Sequence, residues 1–295
     1  MEVIKISNLT KDYGNNKGIF NVNIKVNKGE VFGFLGPNGA GKTTTIRNLM
    51  GFIKADSGKC EILNKDCFNE AFKIQKSLGY LAGEISFFDD LNGSQFLDFM
   101  ADMKGLKDKR RMNELIDKFE LDPKGKIKKM SKGMKQKLGI IIAFMSEPEV
   151  LILDEPTSGL DPLMQSKFVD LILEEKEKGK TIFMSSHIFE EIEKTCDRTA
   201  IIREGKIVAV EDMKSLSSKK SKIYVLTLEN QEEVNKIKKD NFNIKEVKGL
   251  DVSIKVKGNI NEFILGISKY KISDMNIKSE SLEEIFMHYY GKDGE

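Results

Sequence analysis

The chain has 295 residues, with 48 Lys and Arg against 46 Asp and Glu, and 40% of it is apolar: material for about two ordinary folded domains. The resulting net charge of +2 gives no nucleic-acid footprint. The odd set of Cys60, Cys67 and Cys196 has no metal-ligand spacing and argues against a disulfide framework, so a reducing, cytoplasmic setting is expected.

The chain opens as a strand at Met1-Glu2-Val3-Ile4-Lys5-Ile6, with no signal peptide expected before it. Residues 1 to about 84 read as an antiparallel strand region, a phosphate loop and its helix. Val31-Phe32-Gly33-Phe34-Leu35 is an apolar run that reads as a buried strand. It feeds Gly36, Pro37, Asn38, Gly39, Ala40, Gly41, Lys42 and Thr43, a complete G-x-x-x-x-G-K-T pattern, and Thr44 to Met50 continues as a helix. The glycines let backbone N–H groups turn toward one point. The helix N-terminus adds its positive end there, so the pocket suits a triphosphate. Lys42 reaches the β- and γ-phosphates, and the Thr43 hydroxyl takes Mg²⁺.

Residues from about 85 to 146 read as a helical insert. The pattern predicts helices over Ser94 to Lys104, capped by Ser94, over Lys107 to Phe119, and over Met134 to Phe144. Phe87-Phe88, at the start of the insert, reads equally as core packing and as an exposed apolar dock. The basic stretch Lys124 to Lys137 reads chiefly as a solvated face.

Val150-Leu151-Ile152-Leu153 is a continuous apolar strand ending in Asp154-Glu155. Such a strand is buried on both faces of a mostly parallel sheet, and its carboxyl end is where such sheets bind ligands. Asp154 suits Mg²⁺, directly or through water. Glu155 is the better candidate for positioning and polarising an attacking water. Residues 147 to 211 alternate strand and helix, as right-handed crossover units do.

A polar stretch, Ser215 to Ser221, marks a linker. Beyond it strands are predicted at Lys222–Glu229, Asn241–Val247, Leu250–Val256 and Lys271–Ile277, with helices near Gln231–Lys239 and Asn259–Ile267. A turn at Lys248-Gly249 makes the middle pair a hairpin. The order is β-α-β-β-α-β, a small ferredoxin-like α+β domain. A last helix is expected after Ser281, with Glu284 completing a capping box and His288 as a packing or surface residue.

Several of these stretches, in order, carry a family resemblance. Met130-Ser131-Lys132-Gly133-Met134-Lys135-Gln136 is similar to the signature motif of ATP-binding cassette ATPases, the motor subunits of ABC transporters. Ser158-Gly159-Leu160-Asp161 resembles their D-loop. His187, in Met184-Ser185-Ser186-His187, resembles the switch histidine, and Tyr13 in Asp12-Tyr13-Gly14 the adenine-stacking aromatic. The resemblance covers roughly residues 1 to 215. It implies an α/β P-loop NTPase fold of the ABC type, with a mixed sheet core, an antiparallel strand region and a helical subdomain. It implies ATP and Mg²⁺ as cofactors, with Glu155 and His187 catalytic and Thr43 and Asp154 on the metal. Tyr13, the phosphate loop through Thr44, Ser131, Gly133 and Asp161 would bind nucleotide, Ser131 and Gly133 at the γ-phosphate held by a second cassette. The expected partners are that second cassette, identical or not, and a separate transmembrane permease, with no nucleic acid. The chain would then lie at the cytoplasmic face of the membrane and drive export, with residues 222–295 as an accessory domain. The rival reading is a non-transport cassette ATPase or a nucleotide-dependent regulator.

The chain departs from the family at two places. Lys132 stands where the signature usually has Gly. Gly83 stands where the family carries a Mg²⁺-binding glutamine, so either neighbouring Glu84 takes over that contact or it is lost.

Overall fold

Period-two burial sets the first sheet. In β1 (Glu2–Asp12) and β2 (Gly18–Asn27), residues such as Val22, Ile24 and Val26 face inward, while Asn21, Asn23 and Lys25 face out. Next, β3 (Val31–Leu35) is buried at all five positions and leads into α1 (Lys42–Leu49). With β4 (Ser57–Ile62) and β5 (Lys65–Asp66) the antiparallel sheet is complete, in the order β2-β1-β4-β5. Then come α2 (Ala71–Gln75) and β6 (Leu78–Leu81), followed by the helices of the insert, α3 (Gly93–Met103), α4 (Arg110–Lys118) and α5 (Lys132–Phe144). The chain returns through β7 (Val150–Asp154), α6 (Pro162–Glu177), β8 (Thr181–Ser186), α7 (Phe189–Thr195), β9 (Arg198–Arg203), β10 (Lys206–Asp212) and α8 (Met213–Lys219). This computed structural model describes residues 1–88, 90–219, 222–256 and 260–279.

The second sheet has the order β10-β9-β3-β8-β7-β6 and is parallel except for β10. Its strands read as unbroken apolar runs because both faces are covered. Phe32, Phe34 and Phe183 stack across β3 and β8 with ring centroids 5.9 and 5.4 Å apart. Each buried phenylalanine contributes roughly 1.5–3 kcal/mol. The order matters for function. It makes β3, β8 and β7 neighbours, so the segments leaving their carboxyl ends emerge side by side.

Three local expectations are corrected. Asn92, not Ser94, caps α3: its side chain accepts from Gln95 N at 2.8 Å, and Gln95 Oε1 accepts from Asn92 N at 3.1 Å. The Ser94 N–H goes instead to the Pro123 carbonyl, at 2.8 Å. Helix α4 begins at Arg110, after Lys107 to Lys109, and α5 begins at Lys132, two residues early, with Ser131 as its cap.

The chain divides into two units, Met1–Met213 and Lys214–Glu295. The second contains β11 (Lys222–Leu228), α9 (Gln231–Ile237), β12 (Ile244–Lys248), β13 (Asp251–Val256), α10 (Ile260–Ile267) and β14 (Ile272–Ser279). Its sheet is antiparallel, in the order β12-β13-β11-β14, and its own core includes Tyr224, Leu226, Val234, Ile254 and Phe263. The hairpin turn is Gly249-Leu250, one residue later than expected, because Lys248 pairs with Asp251 and Gly249 takes φ 61°. The helix expected after Ser281, with Glu284 and His288, lies outside the described residues.

Candidate active site

The phosphate loop leaves β3 at Leu35. A side chain at Gly36 would put its Cβ 2.4 Å from the Ile202 carbonyl oxygen, so only glycine fits. Gly41 has φ 110°, and a Cβ there would lie 2.6 Å from Ile19 Cγ2. The loop thus turns tightly and delivers Lys42 to the first position of α1. Pro37, Asn38, Gly39 and Thr43 are exposed, Gly41 and Thr44 half-buried, and Ala40 buried. Lys42 is 5% exposed, and its ammonium donates to the carbonyls of Gly36 at 2.7 Å and Pro37 at 3.2 Å. It also pairs with Glu155 Oε1 at 3.1 Å.

Asp154 ends β7 and is buried. Its Oδ2 accepts from Thr43 Oγ1 at 2.9 Å, and its Oδ1 from Ser185 Oγ at 2.5 Å. Burial pushes this carboxyl above the usual range, and the two hydroxyls only partly offset it. Glu155 follows in the left-handed region at φ 47°, a conformation costing a non-glycine residue roughly 1–2 kcal/mol. It is held there by β8: its N–H donates to Ser185 O at 3.2 Å and Ser185 Oγ at 3.1 Å. The turn points the Glu155 carboxylate at both Lys42 and His187, whose Nδ1 lies 3.0 Å from Glu155 Oε2. Ser185, for which the sequence suggested no role, therefore positions both acids. Its signal was polarity in the last buried positions of an otherwise apolar strand.

The network Thr43–Asp154 and Lys42–Glu155–His187 is what the three adjacent strand ends bring together. Tyr13, Ser131, Gly133 and Asp161 lie outside it. Tyr13 is 54% exposed in the loop after β1. Ser131 Oγ accepts from Met134 N at 3.2 Å as the cap of α5. The Asp161 carboxylate likewise caps α6, accepting from Met164 N at 3.0 Å. The signature and D-loop segments pack on each other. A Cβ on Gly133 would lie 2.8 Å from Gly159 O, and Lys132 Nζ donates to Ser158 Oγ at 3.0 Å. Buried Gln136 ties α5 to the Asp154–Glu155 turn through the Pro156 carbonyl at 2.7 Å. Gly83 backs onto Asp154, where an added Cβ would meet Oδ2 at 3.1 Å, and Glu84 is exposed.

Mg²⁺ suits these donors. Among the described residues no three His, Cys, Asp or Glu side chains form a cage. A hydroxyl and one buried carboxylate converge instead, and Mg²⁺ in phosphate sites is held by such a pair plus phosphate oxygens and water.

Comparison with known proteins agrees with this geometry. Residues 19–158 match the ABC transporter family. The bacitracin transport ATP-binding protein BcrA of Bacillus licheniformis is 36% identical over 301 residues, covering 98% of this chain and 97% of the relative. This chain is an ABC transporter ATPase. The linearmycin resistance ATP-binding protein LnrL of Bacillus subtilis is 35% identical over 222 residues, 74% of this chain and 71% of the relative. The solved ATP-binding subunit of an ABC transporter superposes with a TM-score of 0.68 at 29% identity, covering 73% of this chain and 92% of that one. A bacterial ABC cassette solved as a dimer shares the fold, with a TM-score of 0.65 at 24% identity over 71% of this chain and 98% of that one. The ABC ATPase therefore binds and hydrolyses ATP as a transporter subunit. None of its described helices is long and apolar enough to cross a membrane.

A carboxyl whose folded pKa lies above its unfolded value of 3.8 lowers stability as pH rises through that interval. Ionised Asp154 is thus a cost to this ABC ATPase at neutral pH. Asp154→Asn is expected to raise the melting temperature in EDTA and to abolish the extra stabilisation by Mg-ATP. Thermal unfolding with and without Mg-ATP checks both, and an unchanged Mg-ATP increment would remove Asp154 from the metal site.

Proposed function

We propose that this subunit powers a separate membrane permease by hydrolysing Mg-ATP between two cassettes, and that the cargo is exported. The observation that carries the reading is the Lys42–Glu155–His187 network beside Asp154 and Thr43. Glu155 orients water for in-line attack on the γ-phosphate. Lys42 exchanges its carbonyl and carboxylate partners for phosphate oxygens, which places a buried ammonium where charge develops. His187 contacts the γ-phosphate and the water. Thr43 and Asp154 would hold Mg²⁺, which supplies charge neutralisation on the β- and γ-phosphates. Tyr13 offers an exposed face for adenine stacking. Ser131 and Gly133, with the Asp161 segment, act on the γ-phosphate held by the opposing cassette of a head-to-tail dimer.

Two features support membrane coupling. Phe87, Phe88, Phe96 and Phe99 form one ring cluster at the start of the helical insert, with centroids 5.1 to 6.2 Å apart. Phe88 is 60% exposed within it, an apolar surface suited to a permease's cytoplasmic segment. Relatives named for bacitracin transport and linearmycin resistance support export as the direction of transport. Attachment to the cytoplasmic face would then come through the permease. Purifying the tagged subunit from membranes should yield a multi-span partner. Recovery with ribosomes or nucleic acid instead would favour a non-transport ATPase.

Residues 1–215 then form the ATPase, with a helical subdomain at about 85–146, and 222–295 form an accessory domain. Removing residues from about Ser221 onward is expected to leave Mg-ATP affinity within about threefold, because the second unit has its own core. Titration calorimetry measures this. A truncation folded by circular dichroism that no longer binds ATP would contradict the division.

A further inference from the structure

Glu191 lies in the first turn of α7, is 6% exposed, and uses both carboxyl oxygens. Oε1 accepts from Thr157 Oγ1, and Oε2 accepts from Ser186 Oγ at 2.9 Å. Both hydroxyl residues are 2% exposed, so water does not compete for them. Thr157 is two residues beyond Glu155, and Ser186 directly precedes His187. Glu155 and His187 in turn contact each other at 3.0 Å. The connections therefore close a ring. Covalent chain joins Glu155 to Thr157, two hydrogen bonds run through Glu191 to Ser186, and covalent chain leads on to His187 and back to Glu155.

We propose that Glu191 is a positioning residue for hydrolysis, setting the spacing of Glu155 and His187 from behind; the proposal rests on reading that pair as the hydrolytic groups. The front contact between the two is a direct one. It must open when a water comes to Glu155 and a γ-phosphate to His187. From then on the Ser185 bonds hold the Glu155 backbone, and the path through Glu191 braces the two segments beyond them, at Thr157 and Ser186. A carboxyl suits the task, since its two oxygens each accept from one hydroxyl. Burial raises this carboxyl's pKa, while the Thr157 and Ser186 hydroxyls pull it back toward ionisation. Anchoring α7 does not require the carboxylate. Ile192 is buried so close to β3 that a Cβ on Gly33 would lie 3.0 Å from its Cδ1, and Thr195 Oγ1 donates to Met184 Sδ of β8 at 3.7 Å.

The test uses the full chain and measures kcat, KM and the dissociation constant for Mg-ATP. Glu191→Ala is expected to lower kcat about 10- to 100-fold, the scale of a misplacement near 1 Å, with KM and affinity within about threefold. Glu191→Gln, which keeps the reach and an acceptor, should recover most of the rate. In a His187→Ala background the further loss from Glu191→Ala should shrink to about twofold, because residues acting as one unit are not additive. Should Glu191→Ala fail to fold, the pair Thr157→Val with Ser186→Ala removes both arms and leaves the carboxyl in place. The same loss of kcat is expected there. A wild-type rate in that double variant, or losses from Glu191→Ala and His187→Ala that multiply fully, would overturn the proposal. Glu155→Gln separates the two levels. If it abolishes turnover while the double variant runs normally, only the brace is wrong; if it turns over at the wild-type rate, the hydrolytic pair itself is misassigned.

Discussion

Glu155→Gln is expected to bind Mg-ATP and lower kcat by at least about a hundredfold, the usual contribution of a positioned general base. The carboxylate contacts both Lys42, at 3.1 Å, and His187, at 3.0 Å, so it sits at the centre of the site. An amide keeps its size and backbone conformation, with φ 47° imposed by Ser185 rather than by the side chain. What is lost is the charge that polarises water. Removing it also frees the Lys42 ammonium from a competing anion, which favours phosphate. The variant should therefore accumulate as an ATP-bound dimer. Size-exclusion chromatography in Mg-ATP reads the dimer, and phosphate release reads the rate. A Glu155→Gln subunit that hydrolyses ATP normally would take Glu155 out of the mechanism.

The phosphate loop was legible in the sequence because its fixed glycines have a backbone reason and its Lys and Thr a side-chain one. Gly36 and Gly41 have no room for a Cβ, and Lys42 opens the helix. Asp154 and Glu155 were legible because they end a strand apolar enough to be buried on both faces in a chain that also carries a phosphate loop, and the carboxyl ends of such strands are where ligands bind. The cap of α3 was misplaced because Asn92 and Ser94 are both good capping residues. Gln95, three residues after Asn92, decides between them by closing the box. The strand order was not legible at all. That β8 lies between β3 and β7 is a matter of non-local pairing, and it is what brings His187 to Glu155 and both of them to the phosphate loop. For the same reason nothing local distinguished Glu191 from its neighbour Glu190. Both lie in the first turn of a short helix, and only the tertiary fold buries one and exposes the other.

Lys42→Ala and Ser131→Arg are expected to fail in different ways. Lys42 acts within its own subunit. Its loss removes a charge-assisted contact of about 2 kcal/mol, which is roughly thirtyfold in ATP affinity. Ser131 is exposed, outside the Lys42–Glu155–His187 network, so an arginine there should leave ATP binding by the single subunit unchanged. The larger side chain would instead occupy the anion site offered to the opposing cassette, and dimer closure should stop. The substitution also removes the cap on Met134 N, a loss of about 1 kcal/mol in helix stability. Ser131→Asn, which keeps a capping oxygen, separates that effect from the steric one. Head-to-tail geometry makes a further demand. A dimer of one Lys42→Ala and one Ser131→Arg subunit places both defects at the same nucleotide, so one intact site remains. A dimer with both changes in a single chain spoils both sites. Fluorescence titration of monomers and ATPase assays on the two kinds of mixed dimer measure these outcomes. If Ser131→Arg weakened ATP binding by the monomer as much as Lys42→Ala does, Ser131 would belong to the site of its own subunit, and the shared-site arrangement would be wrong.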